Sequence, residues 1–217
     1  AEVCLACISR VAEHWSVDVM TSDLAISAGT MSRKADEASP SDVDLMSRLS
    51  SGDETAMNEL VARFGPDLHR LVGRLTAWSP DSEDILQEVF LVIWKKAGNY
   101  RGHGSLEGWL RRIAVTRSQN HQRGRAAFRR LITRLTHESK ATTDEIPESR
   151  NDDTDQLRDA LTRLSRDDRM VLVLYYVEDW SGEEVSEVLN ISTSTLHVRL
   201  HRARQRLHDI LTEGQAS

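Results

Sequence analysis

Cysteine is nearly absent. Cys4 and Cys7 are the only two among 217 residues, and both sit at the N-terminal edge, which argues against a secreted disulfide scaffold. Long apolar runs are missing too: no stretch approaches the ~18 residues that span a bilayer, so no membrane insertion is expected. The N-terminus carries Asp18 and Asp23 in place of a basic segment followed by an apolar block, so no secretory leader is read and a cytoplasmic protein is the default. There is no strand-like alternation of apolar and polar residues and no internal repeat. Nor is there a nucleophile–base pair, a phosphate-binding glycine loop or a complete metal cluster. A non-catalytic protein without cofactor or metal is expected.

What is present is charge, unevenly placed. The chain is 39% hydrophobic and 29% charged with a formal net charge of −6, which fits a globular protein with room for small cores; its length allows one or two domains at roughly 100–200 residues each. The total conceals a segregation. From Arg101 to Arg134 the bases are Arg101, Arg111, Arg112, Arg117, Arg123, Arg125, Arg129, Arg130 and Arg134, against Glu107 alone. Immediately afterwards Glu138, Asp144, Glu145, Glu148, Asp152, Asp153 and Asp155 face only Lys140 and Arg150. Near the end, Asn190–Leu207 holds Arg199, Arg202, Arg204 and Arg206 with no acid. Such segregation predicts a polyanion-binding face on an acidic body.

Periodicity makes the chain all-α, with two small helical domains joined by an acidic linker. Residues 1–40 read as an N-terminal extension, apart from Leu5, Ile8, Val11 and Trp15 on one short helical face. The first domain is placed at 41–135. It begins with a short helix stopped near Gly52, a plausible C-cap. A second helix carries Leu60, Phe64, Leu68, Leu71, Leu75 and Trp78, with Pro66 inside it. A third, with Ser79 as N-cap and Pro80 at its first position, buries Ile85, Leu86, Val89, Phe90, Ile93 and Trp94 and ends at Gly98. The glycine-rich "NYRGHGS" then leads into a long basic helix. Residues 136–156 are polar, contain Pro147 and read as linker.

The second domain, 157–212, opens a helix at Ser165. Ser181 and Glu184 have capping-box spacing before Gly182–Leu189. The short "NIS" turn joins that helix to another running from Thr193 to Leu211, which has the form of a helix-turn-helix. In the second of the pair, Leu196, Leu200, Ala203 and Leu207 share one face. The opposite face holds Ser194, Val198, His201, Arg202 and Gln205, flanked by His197, Arg199, Arg204 and Arg206. Small and polar residues at the N-terminal end suit a major groove, and flanking arginines suit phosphates.

Three segments in series carry a more specific resemblance. "DSEDILQEVFLVIW" resembles the core-polymerase-binding helix of sigma-70 family domain 2. "YRGHGSLEGWLRRIAVTRSQNHQR" resembles the adjoining segment that opens and reads the −10 promoter element. "LTRLSRDDRMVLVLYYVEDWSGEEVSEVLNISTSTLHVRLHRARQRL" resembles domain 4, the reader of the −35 element. The likeness spans roughly 42–134 and 157–211 and lacks the domain 3 of larger relatives, as in the extracytoplasmic-function (ECF) group.

The resemblance implies a sigma factor that binds bacterial core RNA polymerase through the β′ clamp and β flap, binds promoter DNA, and is a target for an anti-sigma factor. It places Asp84, Gln87 and Glu88 against the β′ coiled coil, with Leu91 as an apolar anchor. For −10 reading it implies Asn99, Tyr100, Arg101, His103, Arg112, Arg117, Asn120 and Arg123: the arginines attract the backbone, the loop admits an extruded base, and Tyr100 stacks on it while Trp109 belongs to the core. Gln122 joins Asn120 as a hydrogen-bonding side chain, and Thr116 stands where many relatives carry asparagine. For −35 reading it implies Thr193, Ser194, His197, Val198, Arg199, His201 and Arg202, with Arg202 suited to guanine and Val198 to a thymine methyl. The linker is expected to thread the polymerase cleft or to serve as a plain tether.

Two other readings compete: a stand-alone operator-binding regulator, and a decoy that captures an anti-sigma factor. At the N-terminus, Cys4, Cys7 and His14 fall one ligand short of an ordinary structural zinc site. A redox pair or a non-essential extension are the alternatives there.

Overall fold

The computed structural model describes residues 40–136 and 153–215, with side chains for 41–124 and 157–213. The zinc and redox readings of Cys4, Cys7 and His14, the short helix near Leu5 and most of the linker, residues 137–152, lie outside the described residues. All regular structure within the described residues is helical. The helices are α1 (Pro40–Ser50), α2 (Glu54–Thr76), α3 (Ser82–Lys96), α4 (Leu106–Thr136), α5 (Asp153–Arg163), α6 (Arg166–Leu172), α7 (Gly182–Leu189) and α8 (Thr193–Gln215). A 3₁₀ turn, Ala97–Asn99, follows α3, and a π-helical turn, Val173–Val177, follows α6.

These elements gather into two compact units. One takes in described residues up to Gly73 together with Pro80–Val115; the other takes in Arg74–Ser79 and the residues from Thr116 onward. The dividing line thus crosses α2 and α4.

In the first unit α1 packs on α3 and on the 3₁₀ turn. Leu45, Met46 and Leu49 of α1, Leu60, Leu68 and Leu71 of α2, and Leu106 and Leu110 of α4 are buried. So are Ile85, Leu86, Val89, Phe90 and Ile93, the stripe that periodicity selects on α3. Each such side chain contributes about 1.5–3 kcal/mol on leaving water. Gly52 does end α1: at φ +92° it sits where the Gly52 N–H reaches the Leu49 carbonyl and the Asp53 N–H reaches Arg48's. Those two bonds make a Schellman cap, in which a left-handed residue without a Cβ is favoured. Arg48 also ties this turn to α2 through Asp53 (3.0 Å) and Glu59 (3.1 Å). Pro66 lies within α2, which continues through it as one helix.

The start of α3 differs from expectation. Its N-cap is Asp81, not Ser79, and the first helical bond runs from the Ile85 N–H to the Asp81 carbonyl. Ala77 and Trp78 take left-handed backbone angles (φ 58° and 51°), so the residues after α2 reverse the chain before a helix can begin. At the other end, Gly98 falls in the 3₁₀ turn just beyond α3.

In the second unit α8 packs against α5, α6 and α7. Ser165 caps α6, its hydroxyl accepting the Asp168 N–H. Leu172, Val173 and Leu174 are all buried, and α6 runs straight into the π turn, closed by the Glu178 N–H on the Val173 carbonyl at 2.9 Å. Arg169, 5% exposed, has carbonyl partners: its guanidinium donates to Leu161 (2.9 Å), Leu75 (3.3 Å) and Thr162 (3.5 Å). These oxygens lie in the last turns of α5 and α2, where unpaired carbonyls concentrate negative charge. Burial, with Arg166 nearby, lowers the Arg169 pKa to about 10, which still leaves it charged at neutral pH. Arg74 meets the buried carboxylate of Glu178 at 2.7 Å, and Arg158 lies 4.6 Å over the Trp78 ring.

Candidate nucleic-acid interface

The loop between the 3₁₀ turn and α4 is built from glycine. Gly102 and Gly104 have φ of +75° and +79°, a region that costs an L-residue roughly 1–2 kcal/mol. Asn99, Arg101, His103 and Gly104 are exposed, so the loop presents a cation, an imidazole, an amide and bare backbone together. Ser105 caps α4, its hydroxyl accepting the Gly108 N–H at 3.1 Å; the sequence reading passed over this cap, although serine before an apolar helical run is its usual signal.

Tyr100 is a correction. The reading of its ring as an open stacking surface does not hold in this structure, because the side chain is 8% exposed. It lies beneath the loop, its hydroxyl donating to the Gly104 carbonyl at 3.1 Å, its ring 5.7 Å from that of Trp109 at a tilt of 58°. A large aromatic beside the buried Ala97 and an apolar helix start is drawn inward by its area. Trp109, read as the core member of the pair, is the half-buried one.

On α4, Arg112 and Arg117 are half-buried while Thr116, Asn120 and Arg123 are exposed. Two residues of this stretch are occupied otherwise than expected. Arg111 pairs with Glu107 one turn back at 2.9 Å, and the Gln122 amide donates to the Leu75 carbonyl at 3.0 Å, so neither offers a side chain open to a nucleic acid. The side chain of Arg125 lies outside the described residues.

On α3 the face opposite the buried stripe holds Asp84 and Glu88, both exposed, with Gln87 and Leu91 half-buried. Burial of the stripe leaves an acidic–amide surface with one apolar side chain, Leu91. Trp94, assigned to the stripe by spacing, is half-buried.

In the second unit α7 and α8 form the expected helix-turn-helix. The capping box is complete: the Ser181 hydroxyl accepts the Glu184 N–H, and the Glu184 carboxylate accepts the Ser181 N–H. Asn190, left-handed at φ 54°, closes the turn as a second Schellman cap, with bonds from Asn190 N–H to Glu187 and Ile191 N–H to Ser186. Ser192 then starts α8 by accepting the Thr195 N–H at 3.1 Å. Leu196, Leu200 and Ala203 are buried and Leu207 is half-buried, whereas Thr193, Ser194, His197, Val198, His201, Arg202 and Gln205 are exposed. Val198, at 50%, is one of the few large apolar side chains left in water.

The arginines of α8 divide into two groups. Arg202 and Arg204 are exposed. Arg199 is half-buried, 3.9 Å from the exposed Asp167 carboxylate. Arg206, expected among the flanking phosphate contacts, is instead ion-paired with the buried carboxylate of Asp168, which also accepts the Ser165 hydroxyl at 2.6 Å. An acid placed at the start of α6 captures it.

Among the described residues no group of three or more His, Cys, Asp or Glu side chains is placed to hold a metal, and no helix is long and apolar enough to cross a membrane. Comparison with known families finds two matches: Sigma-70 region 2 over residues 60–128 and Sigma-70 region 4 over residues 154–207. Among curated proteins, the chain is 32% identical over 171 residues to the RNA polymerase sigma factor CarQ of Myxococcus xanthus, covering 77% of this chain and 96% of CarQ. It is also 32% identical over 169 residues to the ECF RNA polymerase sigma factor SigE of Mycolicibacterium smegmatis, covering 75% of this chain and 65% of SigE. Among solved structures, the sigma factor RpoE of Bartonella quintana, in complex with the anti-sigma factor NepR, matches in fold with a TM-score of 0.57 at 21% identity, covering 71% of this chain and 96% of that one.

Proposed function

This chain belongs to the ECF RNA polymerase sigma factors of the sigma-70 family, which direct promoter-specific transcription initiation, and from that premise we propose how its residues divide the work. Two functional domains, 41–135 and 157–212, are joined by the linker 136–156; the first encloses the region 2 match at 60–128, and the region 4 match at 154–207 begins three residues before the second. The α3 surface of Asp84, Gln87, Glu88 and Leu91 docks on the β′ clamp of core polymerase, and the second domain meets the β flap. The 99–105 loop, with Arg112, Arg117, Asn120 and Arg123 of α4, engages the −10 element. Arg101, Arg112, Arg117 and Arg123 neutralise phosphates, and the loop receives an extruded base.

The N-terminal end of α8 reads the −35 element in the major groove. Arg202 pairs with a base edge, Val198 packs on a thymine methyl, and His197 and His201 complete the face. Thr193 and Ser194 bind phosphate at the helix start, with Arg199 beside them. The chain supplies no catalytic group; the chemistry is the polymerase's, which places its work in the cytoplasm. As a member of this family it is a target for an anti-sigma factor. The observation that carries the reading is the α7–α8 pair, whose buried Leu196, Leu200 and Ala203 leave Ser194, Val198, His201 and Arg202 turned outward.

Reconstitution with core polymerase on a promoter library tests it: initiation that depends on the chain and on both elements is the expected result. Tight binding to DNA alone without initiation favours an operator-binding regulator instead. Binding to an anti-sigma factor with neither activity favours a decoy.

A further inference from the structure

The loop that carries Arg101 and His103 is held from below by one hydroxyl. Tyr100 and Gly104 stand four residues apart, and the bond from the Tyr100 hydroxyl to the Gly104 carbonyl (3.1 Å) closes the chain between them into a ring. The base of that ring is fixed on both sides. The Tyr100 N–H reaches the Ala97 carbonyl at 3.1 Å, and the aromatic ring packs on Trp109 in the first turn of α4. At its far end the Ser105 carbonyl accepts the Trp109 N–H at 3.2 Å. Between these anchors Gly104 has φ +79° with open space where a Cβ would stand.

A trans peptide carries its N–H on the side opposite its C=O. Holding the Gly104 carbonyl inward on Tyr100 therefore turns the Ser105 N–H away from Tyr100. The same constraint sets how Arg101 and His103, both exposed, are carried on the ring. Burial, and after it the Asp42 carboxylate, raise the Tyr100 pKa above its usual value, so the group stays a donor at neutral pH and the bond persists.

We infer that Tyr100 is a positioning residue for −10 recognition: its hydroxyl, bonded to the Gly104 carbonyl, fixes the loop backbone whose polar atoms select an extruded base. This rests on the proposed −10 role of the loop. The selectivity at that base then comes from a backbone shape and is set by a side chain that never touches DNA.

Tyr100→Phe removes the hydroxyl and keeps the ring. The test uses full-length chain, core polymerase and a promoter library randomised through the −10 and −35 elements, with initiated templates sequenced. Wild-type holoenzyme is expected to enrich particular bases in both elements. In Tyr100→Phe, enrichment at one −10 position is expected to fall roughly five- to tenfold, the scale of one lost hydrogen bond, with the −35 profile and core affinity unchanged. Gly104→Ala disturbs the same peptide through its backbone angle with no neighbour to clash, and should flatten the same position.

An unaltered −10 profile in both variants overturns the inference. So does an even loss across both elements, which would mean a general structural role. If wild-type holoenzyme itself shows no −10 enrichment, it is the loop's assignment to −10 reading that fails, before the hydroxyl is in question.

Discussion

The two elements that the proposed function assigns to nucleic acid are built in opposite ways. The α8 face is a set of side chains on a regular helix: a buried stripe of Leu196, Leu200 and Ala203 fixes the rotation, and whatever stands opposite is presented. The 99–105 loop has no such periodicity. It presents backbone and three side chains, and its shape rests on Tyr100 beneath and on left-handed glycines within. Substitution on α8 exchanges one reading residue for another, whereas substitution in the loop changes the frame itself. Base preference should therefore be retunable residue by residue in the second unit and fragile in the first.

Substitutions in both units test that contrast and the packing behind it. The largest effect is expected from Arg169→Ala. It removes the guanidinium from the Leu161 and Thr162 carbonyls in the last turn of α5 and leaves the Leu75 carbonyl of α2 to Gln122 alone, at about 2–4 kcal/mol of unfolding free energy. Urea denaturation followed by far-UV circular dichroism measures it, and a loss under about 1 kcal/mol would show that the clamp contributes little.

Next come His201→Ala and Arg202→Ala, each expected to cost roughly 1–3 kcal/mol at a single −35 base position. A flat profile across −35 substitutions would remove the reading face from α8. Gln87→Ala with Glu88→Ala should weaken binding to core polymerase about tenfold, near 1.4 kcal/mol, with the fold intact; an unchanged titration rejects that docking surface.

Two arginines on one helix give a finer test. Arg204→Ala should lower the slope of log affinity against log salt by about 1, the mark of one phosphate contact. Arg206→Ala should leave the slope unchanged and lower stability instead, because its partner is Asp168. Equal slopes would erase the distinction. The smallest effect is at the turn: Asn190→Ala should cost about 1 kcal/mol for a left-handed residue, while Asn190→Gly should be tolerated.

Much of this was legible where local chemistry decides. The Ser181–Glu184 box, the Gly52 cap and the bounds of α7 follow from interactions over a few residues, and the exposed face of α8 follows from helical period. What escaped the sequence depends on partners distant along the chain. Nothing near Arg206 announces Asp168, and nothing near Gln122 announces the Leu75 carbonyl. The same holds for Tyr100, whose burial is decided by how the loop closes over it. The reversal at Ala77 and Trp78 was hidden because neither residue type favours positive φ, so a serine–proline pair that looks like a helix start serves the turn instead.

The π turn at Val173–Val177 has an evolutionary consequence. A π turn is one residue more than α-helix requires, absorbed without breaking the helix. Deleting one residue there would restore an α turn and leave the phase of the chain beyond it nearly unchanged, because the π turn takes up its extra residue locally. Glu178, whose side chain is buried against Arg74, would keep its place. Homologous chains should therefore tolerate a difference of one residue in length across this stretch, with the helix-turn-helix beyond it seated as before.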